Sequence, residues 1–399
     1  MKLKNGLGHL SYSTLVHPGD TWAEMNASLR EFVPQVKKRV SPNAPFAVSL
    51  RISASSAKTL TESGAERTAL ADFLAREDLY VYTVNAFPYG PFKGEIVMER
   101  VYEPDWTTDD RVNYTNSVAD ILAEISPATV NPSIQTAPLA FTPNVAGEKY
   151  ISTFTRNVFR VVAHLLELEG RTGRRVKLAI EPEPACYLET TDETIEWFTD
   201  RIYSPAGITE LAEVANIPRS EAEGAIRRYL GIVFDIGHQS VGFENITGSL
   251  NKIVGAGIPI FKLQEASSLW VEELTPDKIA ALRRFTDTIY LSQTSLKQNG
   301  TITKFLNLGD ALDAFEANPV PSEMRTHFHV PVFLEELGPF RTTRFGVQEA
   351  LAMHRATPLS DHLEIETYTW DVLPPELKTG DIIEYVSREL EFVLDELGG

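Results

Sequence analysis

Carboxylates and imidazoles crowd the ends of short apolar runs in the second half of this sequence. Ala179-Ile180-Glu181-Pro182-Glu183-Pro184 sets two glutamates two apart, each before a proline that ends regular strand pairing. Phe234-Asp235-Ile236-Gly237-His238 takes one polar group from a strand end and another from the turn after it. Thr326-His327-Phe328-His329 projects two imidazoles from one face of an extended segment, the spacing of a chelate. In His362-Leu363-Glu364-Ile365-Glu366, Glu366 is the deeper candidate because Thr367-Tyr368 begins the exit from the strand. Such groups bind a divalent cation or move protons. Each also has a plainer reading: a salt bridge from a glutamate to an interior Arg51, a hydrogen-bonded structural histidine, or a packing pair around Phe328.

Weaker candidates lie on the other runs. Gln264 is a ligand candidate through its side-chain oxygen, and Lys262 a partner for an anionic intermediate. His9, Arg51, Asn85 and Gln135, read as the ends of the first four runs, are candidates with Glu183 for binding substrate hydroxyls.

The elements that must position these groups are nine β-type runs, at residues 8–13, 46–53, 79–86, 130–136, 176–183, 231–235, 259–265, 326–332 and 363–367. Helical patterns fill most of the gaps. Phe154, Val158, Val161 and Leu165 recur at helical spacing and stop at Gly170; Thr275-Pro276-Asp277 reads as a helix start; residues 381–394 close the chain with an amphipathic helix. Strand and helix in alternation imply a parallel sheet covered by helices.

Side-chain alternation sharpens this. Val176, Leu178 and Ile180 oppose Ala179 and Glu181; Ile232, Phe234 and Ile236 oppose Val233 and Asp235; Leu363 and Ile365 oppose Glu364 and Glu366. If the apolar set packs under helices, the polar set lines the inside of a (β/α)8 TIM barrel and collects at its C-terminal mouth. An open doubly wound sheet is the competing architecture, but it needs a glycine-rich phosphate turn that Gly6-Leu7-Gly8 does not supply. Nine runs exceed eight, so 326–332 is expected to belong to an insertion after the seventh strand, paired with 288–294. The whole of 1–399 then reads as one TIM-barrel domain with insertions near 200–228 and 288–335.

The net charge of −18, from 37 basic against 55 acidic residues, argues against a nucleic-acid partner. A small polyhydroxylated molecule is the expected substrate. One cysteine, Cys186, excludes an intrachain disulfide and fits a reducing compartment. With no secretory leader or membrane-spanning run in this sequence, a cytoplasmic protein without membrane insertion is expected. Residues 211–230 resemble a helix-turn-helix superficially, but between barrel strands in an acidic chain they read as two packed helices. No G-x-S-x-G elbow exists, and no motif makes Cys186 a nucleophile.

Glu181-Pro182-Glu183-Pro184 and Asp235-Ile236-Gly237-His238 resemble the xylose-isomerase-like superfamily of sugar isomerases, ketose epimerases and endonuclease IV-type enzymes. Gly8-His9-Leu10-Ser11-Tyr12, Asn85-Ala86-Phe87-Pro88-Tyr89-Gly90-Pro91-Phe92, His327-Phe328-His329-Val330-Pro331 and Glu364-Ile365-Glu366-Thr367-Tyr368-Thr369-Trp370 are similar to the TIM-barrel metabolite-traffic proteins of the Ebo operon (EboE type). The resemblance spans nearly the whole chain. It implies the barrel and a bacterial pathway that makes a small, cyclitol-like metabolite or prepares it for export, with other pathway proteins as partners.

Position by position, Glu181 matches the superfamily's first metal carboxylate, Asp235 the next strand's ligand, His238 its loop companion, and Glu366 the last carboxylate, which also serves as base. Glu183 stands where aldose isomerases carry a lysine, which argues against hydride-shift isomerisation. Gln264 stands where epimerases and endonuclease IV place a histidine, leaving His327 or His329 to supply that nitrogen. The expected activity is a metal-dependent isomerase or epimerase, with Mn²⁺, Co²⁺, Zn²⁺ or Mg²⁺ held by residues drawn from Glu181, Asp235, His238, Gln264, His327, His329 and Glu366. Glu181 and Glu366 would exchange a proton with the substrate. A non-catalytic metabolite carrier and a metal-dependent phosphoester hydrolase are the alternatives.

Overall fold

Apolar residues at alternate positions drive eight short strands to bury one face under helices, and the rest follows from that segregation. The computed structural model describes residues 1–92, 96–285, 290–368 and 380–398. The strands are β1 (His9–Tyr12), β2 (Phe46–Arg51), β3 (Leu79–Asn85), β4 (Ser133–Thr136), β5 (Lys177–Ile180), β6 (Leu230–Asp235) and β7 (Ile260–Glu265). Next come β8 (Ser267–Val271), β9 (Thr294–Gln298), β10 (Thr301–Phe305), β11 (Ser322–Val330), β12 (Glu336–Leu337), β13 (Phe340–Thr342) and finally β14 (His362–Ile365).

Strands β1 to β7 and β14 form one parallel sheet in the order β1-β14-β7-β6-β5-β4-β3-β2. A parallel bridge between Ser13 and Ser49 brings its two ends together, so the eight strands make a nearly closed TIM barrel. Phe46, Val48, Leu50, Leu178, Ile180 and Ile232 join the main hydrophobic core under the helices. The opposite faces turn inward: Lys262, Gln135 and Glu364 are buried within the barrel, and Lys262 Nζ donates to the other two. That is the split the alternation predicts. The run 176–183 is strand only to Ile180, because Pro182 and Pro184 cannot continue the ladder.

The six strands β8 to β13 form a second, antiparallel sheet inserted between β7 and β14, in the order β10-β9-β11-β8-β13-β12. The run expected at 326–332 is therefore an insertion strand, within β11 as far as Val330, and β14 completes the barrel. Its partner differs from the expectation: β11 pairs with β9, Thr326 opposite Thr294, and residues 288–289 of the expected partner lie outside the described residues. The second sheet covers its own hydrophobic cluster, including Leu269, Leu296, Leu312, Met324 and Phe340.

Between β5 and β6 the helices Pro205–Ala215 and Arg219–Tyr229 bury Leu211, Ala222 and Ile226 against the barrel, as packed helices should. No helix among the described residues is long and apolar enough to cross a membrane.

Candidate metal centre

Parallel strands that end together aim their last inward side chains at a common point. Glu181 just past β5, Asp235 at the end of β6, Gln264 near the end of β7 and Glu366 just past β14 are all buried at the C-terminal mouth. The Gln264 amide nitrogen lies within hydrogen-bond distance of all three carboxylates, 2.9 Å from Glu181 Oε1, 2.5 Å from Asp235 Oδ2 and 2.7 Å from Glu366 Oε2, more acceptors than its two hydrogens can serve. Three carboxylates thus meet at one atom.

Neighbouring amides orient two of them. Gln135 Nε2 donates to Glu181 Oε2 at 2.6 Å, and Asn85 Nδ2 to Glu366 Oε1 at 3.0 Å. Asp235 Oδ1 accepts from the His238 backbone N–H at 2.9 Å, capping the helix Ile236–Val241 and leaving Oδ2 to face the cluster. Glu183, beyond the end of β5, accepts at Oε1 from Tyr102 Oη (3.0 Å) and Gln293 Nε2 (3.1 Å), while its buried Oε2 has no hydrogen-bond partner.

The imidazoles come from two directions. His238 Nδ1–H donates to Pro182 O at 3.0 Å, so its Nε2 carries the lone pair. His327 and His329 reach in from β11: His327 Nδ1–H donates to Gln293 Oε1 at 2.8 Å, and His329 Nδ1–H to the Glu366 carbonyl. A carbonyl holding one ring nitrogen is the usual support for a metal-ligating histidine. The Nε2 atoms of His327 and His329 then face each other at 2.7 Å, a hydrogen-bond distance at which one of them carries the proton. Donor atoms of Glu181, Asp235 and His238 lie within 4.8 Å of one another, and so do those of His238, His327 and His329. His238 belongs to both groups.

Burial sets the electrostatics. It pushes the Glu181 carboxyl well above its ordinary range, with Glu366, Asp235 and Glu183 adding negative charge. Glu366 is driven up by burial first and by Glu364 and Asp235 next. His327 is held well below the usual imidazole value and His329 down to about 4, in both cases chiefly by burial.

These features fit a divalent cation. Among the described residues, three buried carboxyl groups converge with no lysine or arginine bonded to them, two imidazoles reach in beside them, and Gln264 Oε1 is buried without a hydrogen-bond partner. Rotating the Gln264 amide would exchange its oxygen and nitrogen and turn Oε1 towards the carboxylates. As it stands, the nitrogen faces them, opposite to the ligating oxygen expected from the sequence.

Three other expectations need correction. His9 opens β1 rather than ending it, so it lies at the opposite mouth of the barrel, with its Nδ1 2.7 Å from Tyr80 Oη. Arg51 ends β2 as expected, but Asp20 holds it at 2.7 Å and the carbonyls of Gly19 and Gly90 take its other bonds. Lys262 sits one layer below the site, on Glu364 Oε1 at 2.8 Å and on Gln135 Oε1, and supports Gln135 from beneath. Asn85, Gln135 and Glu183 do line the cavity above the carboxylates. Gln293 and Tyr102 also line it and escaped the sequence reading. For Gln293 the signal was its place opposite His327, whose backbone N–H donates to Gln293 O at 2.8 Å.

No protein-family model matches this chain, and no curated protein does. Among solved structures it is similar to a D-tagatose 3-epimerase-like protein, at 14% identity over 98% of this chain and 97% of the other, with a TM-score of 0.48. It is also similar to the IOLI protein with a binding zinc atom, at 12% identity over 98% of each chain and a TM-score of 0.45. A third is 3-keto-D-glucoside 4-epimerase from E. coli, at 10% identity, 97% and 98% coverage and a TM-score of 0.42. Likeness at this level transfers no residue's role to this chain.

Proposed function

We propose that this protein is a divalent-metal-dependent isomerase or epimerase of a sugar- or cyclitol-like metabolite, working in a pathway that synthesises or exports it. The observation that carries the reading is the convergence of Glu181, Asp235 and Glu366 on a single atom at the barrel mouth. Those three carboxylates would hold the ion with one or more of His238, His327 and His329. When bound, the ion would supply Lewis-acid polarisation of a carbonyl and the hydroxyl beside it.

The chain's own groups would do the proton work. Glu366, kept in line by Asn85, would take the proton from the carbon next to the carbonyl as that C–H electron pair moves towards oxygen and an enediolate forms. Glu181, kept in line by Gln135, would return a proton to carbon from the other face. Glu183 Oε2, buried and without a hydrogen-bond partner, would accept a substrate hydroxyl.

The test is solvent deuterium exchange at the α-carbon of a ketose by the manganese-loaded protein, followed by NMR. Exchange is expected in the parent and should fall by at least about a hundredfold in Glu366→Gln. Turnover without exchange would exclude the route. A carrier without turnover is the second reading, favoured by the Gln264 amide, which already answers all three carboxylates. Elemental analysis separates the two: absence of stoichiometric metal after reconstitution supports the carrier.

A further inference from the structure

The cavity above the carboxylates has two chemistries. Its floor is polar, built from groups such as Glu181, Glu183, His238 and Glu366. Its walls are apolar and belong to two small hydrophobic clusters separate from the main core. One contains Phe87, Tyr102 and Leu291, and the other Leu15, Phe92 and Tyr290. All six line the cavity.

The tyrosine hydroxyls in these walls are engaged elsewhere. Tyr102 Oη donates to Glu183 at 3.0 Å, and Tyr290 Oη to the Phe92 carbonyl at 3.1 Å. Phe92, Tyr290 and Tyr368 form an aromatic group with ring centroids 4.9 to 5.5 Å apart, at tilted or edge-to-face angles.

A free sugar suits the floor but not these walls. Among the described residues, these walls would meet its outer hydroxyls with ring faces and aliphatic side chains, at a desolvation cost that such groups do not offset. A flat aromatic group would instead gain apolar burial and offset or edge-to-face ring contacts. We infer that the substrate is amphipathic: a hydroxycarbonyl head directed at the carboxylate floor, joined to an aryl group that fills the slot between the Phe87 and Phe92 walls. This rests on the isomerase reading for the chemistry of the head, while the aryl group rests on the walls alone.

The test uses the full-length, manganese-loaded protein and three probes: D-fructose, and its benzyl and hexyl ethers at the terminal hydroxyl next to the carbonyl. Affinity is measured by titration calorimetry and α-carbon deuterium exchange by NMR. The benzyl ether should bind at least about tenfold more tightly than D-fructose, about 1.4 kcal/mol, and more tightly than the hexyl ether. Phe92→Ser and Leu291→Ser should each erase that preference while metal content stays at the parent level; two variants on opposite walls guard against one failing to fold.

Equal affinity for all three probes would overturn the inference, and with exchange intact would leave the isomerase reading standing. A hexyl ether binding as tightly as the benzyl ether would overturn the aryl assignment. Tight benzyl-ether binding with no exchange from any probe would support the slot and sink the isomerase reading.

Discussion

Glu181, Asp235 and Glu366 show what a residue can disclose through position alone. Each is an acid at or just past the end of an apolar strand run, on the polar side of the alternation, and in a barrel all such positions face one mouth. Other residues hid their roles because rotamer and partner decide them. Arg51 has the same strand-end signature yet is spent on Asp20, and Gln264 presents the amide end opposite to the one expected. Glu389 illustrates a role no local pattern reveals. It lies buried on the last helix, its Oε1 accepting from Thr367 Oγ1 at 2.6 Å and the Val332 N–H at 3.1 Å, and burial raises its carboxyl from 4.5 to about 7. The fold thus prefers the protonated form: the stabilisation is fully present below 4.5 and is lost as pH rises through about 7. Glu389→Gln keeps the accepting oxygen and removes the charge. By linkage the variant should be the more stable by about 3 kcal/mol at pH 8, with the gap shrinking by pH 5.5. Urea unfolding at the two pH values measures it, and a gap independent of pH would refute the assignment.

At the scale of elements, the eight barrel strands were readable because their apolar periodicity is unbroken, whereas the insertion was read only in part. Asn299-Gly300 is a strong hairpin signal, and both residues take positive φ where Gln298 of β9 faces Thr301 of β10. The polar residues flanking that turn interrupt the apolar alternation of β9 and β10, so the sequence pattern points to 288–294, which ends where β9 begins, as the partner of β11. Glycines show how tightly neighbouring elements fit. A Cβ on Gly231, in β6, would lie 2.5 Å from Pro259 O and 2.8 Å from the Phe261 ring, whereas one on Gly224, in the helix Arg219–Tyr229, would meet nothing within 4 Å. Gly231→Ala should cost about 1–3 kcal/mol in urea unfolding and weaken metal uptake by shifting Asp235 further along the strand. Gly224→Ala should be neutral or stabilising by up to about 1 kcal/mol. Equal effects would show that the β6–β7 contact is not tight.

At the scale of the whole molecule, the site joins two sheets. Three carboxylates and His238 come from the barrel, while His327 and His329 come from β11 of the insertion. A cation held by both groups should stabilise both sheets, because binding to the folded state alone shifts unfolding by mass action. Manganese loading should raise the melting temperature and slow amide hydrogen exchange in Ser322–Val330 as well as at the ends of β5 and β6. Slowing confined to the barrel would show that the β11 imidazoles take no part. The sequence by itself determined the barrel, its inward polar face and the strand-end acids, because strand alternation and helix periodicity are local consequences of residue order. Only the tertiary structure decided that β11 folds back over the mouth, that a glutamine nitrogen stands among the acids, and that apolar loop residues wall the cavity. Those outcomes depend on which distant segments meet and which rotamers their packing permits.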